Sequence, residues 1–511
     1  MEQFKTRWLV LAMALCLGMT TEATLQTNVL LIIADDLGIE SLAAFNDDPT
    51  ASLPPTPTID TIQSNGITFN RFYAYSTCSP TRGSMMTGRY GFRTGVTSPQ
   101  GGNNILKAND FTLPEALIES GVISNRLASI GKWHLGSAAD SPNTIGGWPH
   151  YAGSLGGGVG NFYSWPKTVN GNTTTGHSTY ATTDNVNDSI AWINQQGTQS
   201  WFLWLAFNAA HTPHHRPPND LHDYAGISLN GPNNSRDHFE AMVQAMDTEM
   251  ARLLASVDLS VTTVIFMGDN GTLRGVVQPP FANTHGKGSI YEGGIRVPLL
   301  IYGAAVGNGL ENTAYDGLLH SVDLYSTILE LFGADAEALV PEELVLDSRS
   351  FAAVLRGEAY ARDPAEIMVQ NETGSSTGLC VTAGDYKYID LYNGTEKFYN
   401  VDLDLPEVNN LLSGSLTPTE QAAYESLTNQ LATYVNVPRL YSSYMDGDGK
   451  FNVEMGWFDN EGFTLYRTEN IVSNHWTVVG GQEFENNGDP TLILRDPSPP
   501  ASNAFYRVTT P

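Results

Sequence analysis

Three things are scarce in this chain, and each scarcity removes a class of explanation. Cysteine occurs only three times in 511 residues, at positions 16, 78 and 380, too few for a disulfide-built scaffold. Cations are also scarce: 26 Lys and Arg stand against 54 Asp and Glu, for a formal net charge of -28. A surface that binds a duplex needs a basic footprint, so this balance argues against nucleic acid as a partner. It also repels anions at long range, so any anion site must gather its cations locally. Long apolar runs are missing after the first twenty residues. There Lys5 and Arg7 precede an apolar stretch over 8–19, and Ala23 offers a cleavage point. That layout is an export signal over 1–23 rather than a membrane span. The expectation is an exported chain, periplasmic or secreted, with no stable membrane insertion. Removal of the signal leaves Cys78 and Cys380. Their spacing leaves a bridge between them open; if Cys78 is otherwise used, Cys380 is a single thiol buried in a strand.

What is present is globular in composition, 41% hydrophobic and 16% charged, and the length corresponds to about two to four domains. Four apolar runs of strand length end in polar residues: 29–34 in Asp35-Asp36, 127–130 in Gly131-Lys132-Trp133-His134, 201–207 in Asn208 and His211, and 263–267 in Gly268-Asp269-Asn270. Runs without alternation predict a mostly parallel sheet buried on both faces and covered by helices. Residues that follow such strands sit at the carboxyl edge, where open α/β sheets place their sites. A helix is predicted over 236–257, with Phe239, Met242, Met246, Met250 and Leu253 on one face and Ser235 as its cap. Its methionines are core, not a metal or redox stripe. A second helix is predicted over 323–332, stopped by Gly333.

From about residue 365 the texture changes. Residues 380–392 alternate as strands with one exposed face do, with turns at Ala383-Gly384 and Asn393-Gly394, and a helix follows over 418–435. Beyond 439, short strands at 462–467, 475–479 and 505–508 predict a small β-rich accessory unit. The fold class is therefore α/β: a large mixed, mostly parallel sheet between helices over 24–364, a small antiparallel sheet with a helix over 365–438, and a β-rich tail over 439–511. Gly101-Gly102 and the glycines of 153–160 lack the strand–helix setting of a nucleotide site and are predicted as loops. Asp446-Gly447-Asp448-Gly449 lacks the remaining ligands of a calcium loop and is predicted as a solvated turn.

Certain residues carry chemistry. Adjacent Asp35 and Asp36 repel each other unless a cation intervenes. With Asp269 and Asn270 they make an all-oxygen set of the kind calcium takes, although each pair alone is equally a capped turn. Cys78, four residues before Arg82, has the setting of an activated nucleophile; the bland alternative is a buried thiol at a turn.

The block C-S-P-T-R at 78–82, with T-G-R at 87–89, closely resembles the signature of the type I, formylglycine-dependent sulfatases of the alkaline phosphatase superfamily. G-K-W-H-L-G at 131–136 resembles the second signature of that family. A-F-N-A-A-H-T-P and H-G-K-G-S-I-Y-E-G-G-I-R-V-P (285–298) match further segments. The resemblance covers about 27–435. It implies that a maturation enzyme, formylglycine-generating or equivalent, oxidises Cys78 to formylglycine (3-oxoalanine), whose hydrate attacks the sulfur of an organic sulfate. It further implies one Ca2+ held by Asp35, Asp36, Asp269, Asn270 and the modified residue 78. Lys132 and Lys287 bind sulfate, His134 acts on the formylglycine hydroxyl, His211 protonates the departing alcohol, and Arg82 keeps the assembly in register. Glu292 and Arg296 are expected as a structural ion pair. His214 and His215 are expected to line the substrate mouth, and Trp148, Trp165, His177 and Arg216 stand equally for loop packing or for contact with sugar rings and charges. The sequence departs from the usual pattern at Thr81, where serine is commoner, and at Met85-Met86, where leucines are usual. A sulfated carbohydrate is the expected substrate. The rival readings are a phosphodiester or phosphonate monoester hydrolase of the same superfamily, and a non-catalytic, calcium-dependent glycan-binding protein.

Overall fold

The fold, taken from a computed structural model, is described for residues 27–99, 105–232, 234–373 and 376–435, and for segments of the tail between 439 and 509. The export-signal segment, Gly101-Gly102, and Asp446, Asp448 and Gly449 of the acidic turn lie outside the described residues, as do 462–463 and 475–476 of the tail.

Ten strands form the main sheet. Its centre is five parallel strands in the order Thr262–Gly268, Asn28–Ala34, Trp201–Ala206, Leu127–Lys132, His150–Ser154. The outer strands are mixed: Leu299–Gly303 and Trp165–Val169 join antiparallel, and Thr313–Tyr315 pairs parallel with Gly66–Phe69 at one edge. The central strands Asn28–Ala34, Leu127–Lys132, Trp201–Ala206 and Thr262–Gly268 are buried on both faces, as the unbroken apolar runs predict, while the edge strand Asn172–His177 is exposed. Val29, Leu31 and Ile33 enter one core layer with Met85, Leu117 and Ile328. Leu30, Ile32 and Ala34 enter the other with Ile59, Val186 and Met246. One layer therefore holds helices Cys78–Thr87, Leu113–Glu119 and Leu324–Leu331, and the other holds Pro57–Ser64, Ala181–Asn194 and Arg236–Leu254. The methionine stripe of the last helix is wholly buried. Ser235 occupies its N-cap position, but the hydroxyl bonds His238 Nδ1 at 2.6 Å instead of capping the backbone. Among the described residues no helix is long and apolar enough to cross a membrane.

The smaller sheet is antiparallel in sequence order, Ile367–Asn371, Gly378–Ala383, Tyr386–Leu391 and Glu396–Asn400, and helix Pro418–Val435 packs on it through Leu427 and Leu431. The one-sided exposure expected for these strands is wrong. Consecutive residues from Gly378 to Thr382 are all buried, because Ile367, Val381 and Ile389 share one core cluster with Tyr73, Tyr75, Ile290 and Ile295. Cys380 is buried in its strand, and both it and Cys78 are free thiols. The described tail segments form a four-stranded and a three-stranded antiparallel sheet.

Candidate active site

Parallel register builds one half of the site. Ala34 pairs with Gly268, so the residues leaving both strands meet: Asp269 N–H donates to the Ala34 carbonyl (3.1 Å) and Asp36 N–H to Asp269 Oδ1 (3.2 Å). On the other side Gly131 lies opposite Ala206, where a β-carbon would fall 1.9 Å from the Ala206 carbonyl oxygen. Only glycine lets the strands that deliver Lys132 and His211 approach so closely.

Helix Cys78–Thr87 supplies the other half, and all its residues are buried. Its small side chains permit this, and Gly88 ends it in the left-handed region (φ 65°). Thr81, the departure from serine, accepts from Tyr75 N–H (3.0 Å) and donates to the Asp269 carbonyl (2.7 Å). The Arg82 guanidinium, with no exposed surface, binds Asp269 Oδ2 (2.8 Å) and the Lys132 carbonyl (2.9 Å). Ser79 donates to the His134 carbonyl at 2.9 Å. The helix is thus fastened to both strand-end loops, and Cys78 opens it at the point where they converge.

Around Cys78 the sequence-predicted residues come together. Its Sγ lies 3.1 Å from His134 Nδ1, and His134 is held in the left-handed region (φ 58°), a strained conformation for a non-glycine residue that aims the ring inward. Lys132 Nζ is 2.6 Å from Asp35 Oδ2, and Lys287 Nζ is 2.5 Å from Asp36 Oδ1. Ligand atoms of Asp35, Cys78 and Asp269 lie within 4.8 Å of one another, as do those of Asp35, Asp36 and His211.

The electrostatics follow from burying so many charges together. Burial pushes the Cys78 thiol up despite Lys132 and Lys287, so an unmodified Cys78 is a thiol, not a thiolate, at neutral pH. Burial, and then the charges of Lys132, Arg82 and Lys287, hold His134 far below the usual histidine range. It is therefore neutral, with Nδ1 turned toward Cys78. Asp35 is pushed up to about 6 by burial, which outweighs Lys132. Asp36 moves the other way: burial opposes ionisation, but Lys287, His211 and Lys132 hold it well below the carboxylate range.

The donor set fits a hard divalent cation. Asn270 Nδ2 donates to Asp36 Oδ1 and to the Gly271 carbonyl, both at 2.9 Å, which turns Oδ1 inward. Both Asn270 Oδ1 and Asp35 Oδ1 are buried without a hydrogen-bond partner. Leaving two buried oxygens unmatched costs about 1–3 kcal/mol each. Two ligands at calcium's 2.3–2.6 Å radius lie at most about 5 Å apart, a span that the 4.8 Å clusters satisfy.

The six residues left between the substrate mouth and loop packing have packing or hydrogen-bond partners within the protein. Trp148 is core, packed on Phe202 and Trp204. Trp165 is core, its Nε1 donating to the Thr179 carbonyl, and His177 pairs with Asp184 at 2.7 Å. Arg216 is half-buried and donates to the Ile227 carbonyl. His214 is buried against Phe239, and His215 is buried between Phe162 and Tyr180. Glu292 does meet Arg296, at 3.4 Å, but its nearer partners are Tyr73 (2.9 Å) and Lys387 (3.0 Å). Asn371 gave no signal in the sequence. Buried at the end of the first strand of the small sheet, it accepts from Ser76 Oγ (2.7 Å) and donates to the Gly288 carbonyl (3.2 Å). It thereby ties the loop before Cys78 to the loop that carries Lys287.

Comparison with known proteins finds sulfatases. Mouse arylsulfatase J (Mus musculus) is 26% identical in an alignment that takes in 64% of this chain and 55% of the mouse protein. N-acetylgalactosamine-6-sulfatase of the dog (Canis lupus familiaris) is also 26% identical, over 99% of this chain and 96% of the dog protein. The crystal structure of Ps i-CgsB in complex with k-i-k-neocarrahexaose superposes with a TM-score of 0.67, covering 80% of this chain and 92% of that one at 24% identity, a likeness of fold. The sulfatase family model matches residues 27–334, more than half of the chain and all of the clustered residues above, and the chain belongs to the sulfatase family.

Proposed function

We propose that this protein is an exported sulfuric ester hydrolase that releases sulfate from a sulfated carbohydrate, using formylglycine made from Cys78 and one Ca2+ held by Asp35, Asp36, Asp269 and Asn270. The observation that carries the reading is the convergence on Cys78 of a neutral histidine, two lysines and an oxygen set with two unmatched oxygens. The carbohydrate substrate is supported by the relatives named for N-acetylgalactosamine sulfate and bound to a neocarrahexaose. The basic and apolar segment over 5–19 supports export.

Formylglycine hydrate would supply an oxygen nucleophile with a second hydroxyl for release of sulfate, and Ca2+ would neutralise sulfate charge. The chain's own residues do the rest. Lys132 and Lys287 bring two cations to the sulfate oxygens in a protein that otherwise repels anions. His134, neutral and 3.1 Å from the side chain at 78, takes the proton from the hydroxyl there. His211, beside Asp35 and Asp36, gives a proton to the departing oxygen. Arg82 touches Asp269 and the Lys132 carbonyl rather than the substrate side, and it holds the carboxylates in place.

The test is turnover of an aryl sulfate against an aryl phosphate diester, with mass spectrometry of the tryptic peptide 72–82. Sulfate release at least about a hundredfold faster than phosphodiester cleavage, a gap of about 2.7 kcal/mol in barrier, is expected, together with formylglycine at position 78. Preferred cleavage of the phosphodiester would replace this reading with its rival. The metal assignment has its own readout. Calcium at a hundred times its dissociation constant should stabilise the fold by about 2.7 kcal/mol over chelator-treated protein. One calcium per chain should be recovered by elemental analysis. An unchanged melting temperature on adding Ca2+ would remove the ion from the site.

A further inference from the structure

Both histidines of the site lie under one glycine-rich strap, residues 154–159 (S-L-G-G-G-V). The strap leaves the carboxyl end of strand His150–Ser154 and is anchored at both ends. At its start, Trp133 N–H donates to the Ser154 carbonyl (2.9 Å) and His134 N–H to the Leu155 carbonyl (3.1 Å). At its end Val159 is buried in the same core layer as Phe162, Phe207 and Ala209. Between the anchors the chain crosses the two imidazoles with no side chain. A β-carbon at Gly157 would fall 2.5 Å from both Cε1 and Nε2 of His134, and one at Gly158 would fall 3.0 Å from His211 Nδ1. Neither glycine has a positive φ, so backbone conformation does not demand glycine at either position. The closeness of the rings does.

We propose that Gly157 and Gly158 are positioning residues for the reaction. The bare strap holds the His134 ring with Nδ1 toward position 78. It also fits against His211 with its Nδ1 on the Thr212 carbonyl at 2.8 Å, which leaves Nε2 for the departing oxygen. A methyl at 157 must push the His134 ring, because its backbone is fixed by the Leu155 and Ser79 hydrogen bonds. A methyl at 158 crowds the His211–Thr212 hydrogen bond instead. Misplacement of a catalytic group by an ångström costs up to about a hundredfold in rate.

The inference rests on the sulfatase reading, and Gly157→Ala and Gly158→Ala test it against Gly160→Ala, whose β-carbon would meet nothing within 4 Å. For each, kcat and KM are measured on aryl sulfates of graded leaving-group pKa, with formylglycine occupancy and melting temperature. Gly157→Ala is expected to lower kcat about 10- to 100-fold by the same amount for every leaving group, with KM within about threefold of wild type. Gly158→Ala is expected to lose more as the leaving phenol becomes poorer, because the proton from His211 then matters more. Gly160→Ala should match wild type. Gly157→Ala and Gly158→Ala both within about twofold of Gly160→Ala would overturn the proposal, as would losses that only follow a fall in melting temperature or occupancy. A wild type that releases no sulfate overturns the functional reading and the strap together. An active wild type with unaffected variants overturns the strap alone.

Discussion

Replacing Cys78 by serine should end catalysis after a single sulfate transfer. The serine Oγ would occupy the position of Sγ, 3.1 Å from His134 Nδ1. His134, kept neutral by burial and by three neighbouring cations, would take the hydroxyl proton. Oγ would bond to sulfur, the bond from sulfur to the alcohol oxygen would break, and His211 would protonate that oxygen. The product is a sulfated serine and a free alcohol. Serine carries one hydroxyl and has now used it, so nothing remains on its β-carbon to expel the sulfate. The expected result is a burst of one phenol per protein, a tryptic peptide 72–82 heavier by one sulfo group, and steady turnover lower by about six orders of magnitude, the scale of losing a nucleophile that acts within a concerted unit. Steady turnover by Cys78→Ser near the wild-type rate would sink the proposal that two hydroxyls are needed at this position. So would a fully active wild type that carries only cysteine at 78.

Much of the site could be read from the sequence because each piece of it is local. Asp35, Lys132 and Asp269 follow apolar runs directly, and a parallel sheet brings such strand ends to one edge whatever the intervening loops do. Their register, Ala34 beside Gly268 and Gly131 beside Ala206, adds distances but no new residues. What could not be read depends on contacts remote in sequence. Trp148 and Trp165 sit in loop-like stretches rich in glycine and polar residues, yet both rings fill the core. The glycines at 157 and 158 resemble any flexible loop until two imidazoles are found against them. Lys387 misled most directly. It stands within 380–392, whose alternation predicts strands with one exposed face, but it is completely buried.

That burial makes Lys387→Met the second large effect. Lys387 Nζ stands 3.0 Å from Glu292 and 3.0 Å from Glu407, and Glu407 itself accepts from the Glu292 backbone N–H. The three residues join the small sheet to the segment that carries Lys287, and the neighbouring His285 is held by the Pro406 carbonyl at 3.0 Å. Burial opposes charge on Glu292, but Lys387 and Arg296 keep it ionised. On Glu407 burial outweighs Lys387, and its carboxyl is pushed up to about 7 from 4.5. Methionine fills the space of the lysine stem and removes the cation that both carboxyls need. Breaking a buried charge cluster from one side costs about 3–5 kcal/mol. The sign of the pH dependence is fixed by Glu407. A carboxyl whose folded pKa exceeds its unfolded value costs nothing below the unfolded pKa, and its cost grows as pH rises through the window from 4.5 to about 7. Without Lys387 that folded pKa climbs further, so the difference between wild type and variant, already present at pH 5 through the lost pair with Glu292, is largest at pH 8. Urea unfolding at the two pH values measures it. Adding Glu407→Gln to Lys387→Met should recover most of the loss at pH 8, because no uncompensated charge is then buried at that position. A loss under about 1 kcal/mol at pH 8, the scale of an exposed pair, would mean that the cluster is solvated. A double variant weaker than the single one would mean that Lys387 acts through packing rather than charge.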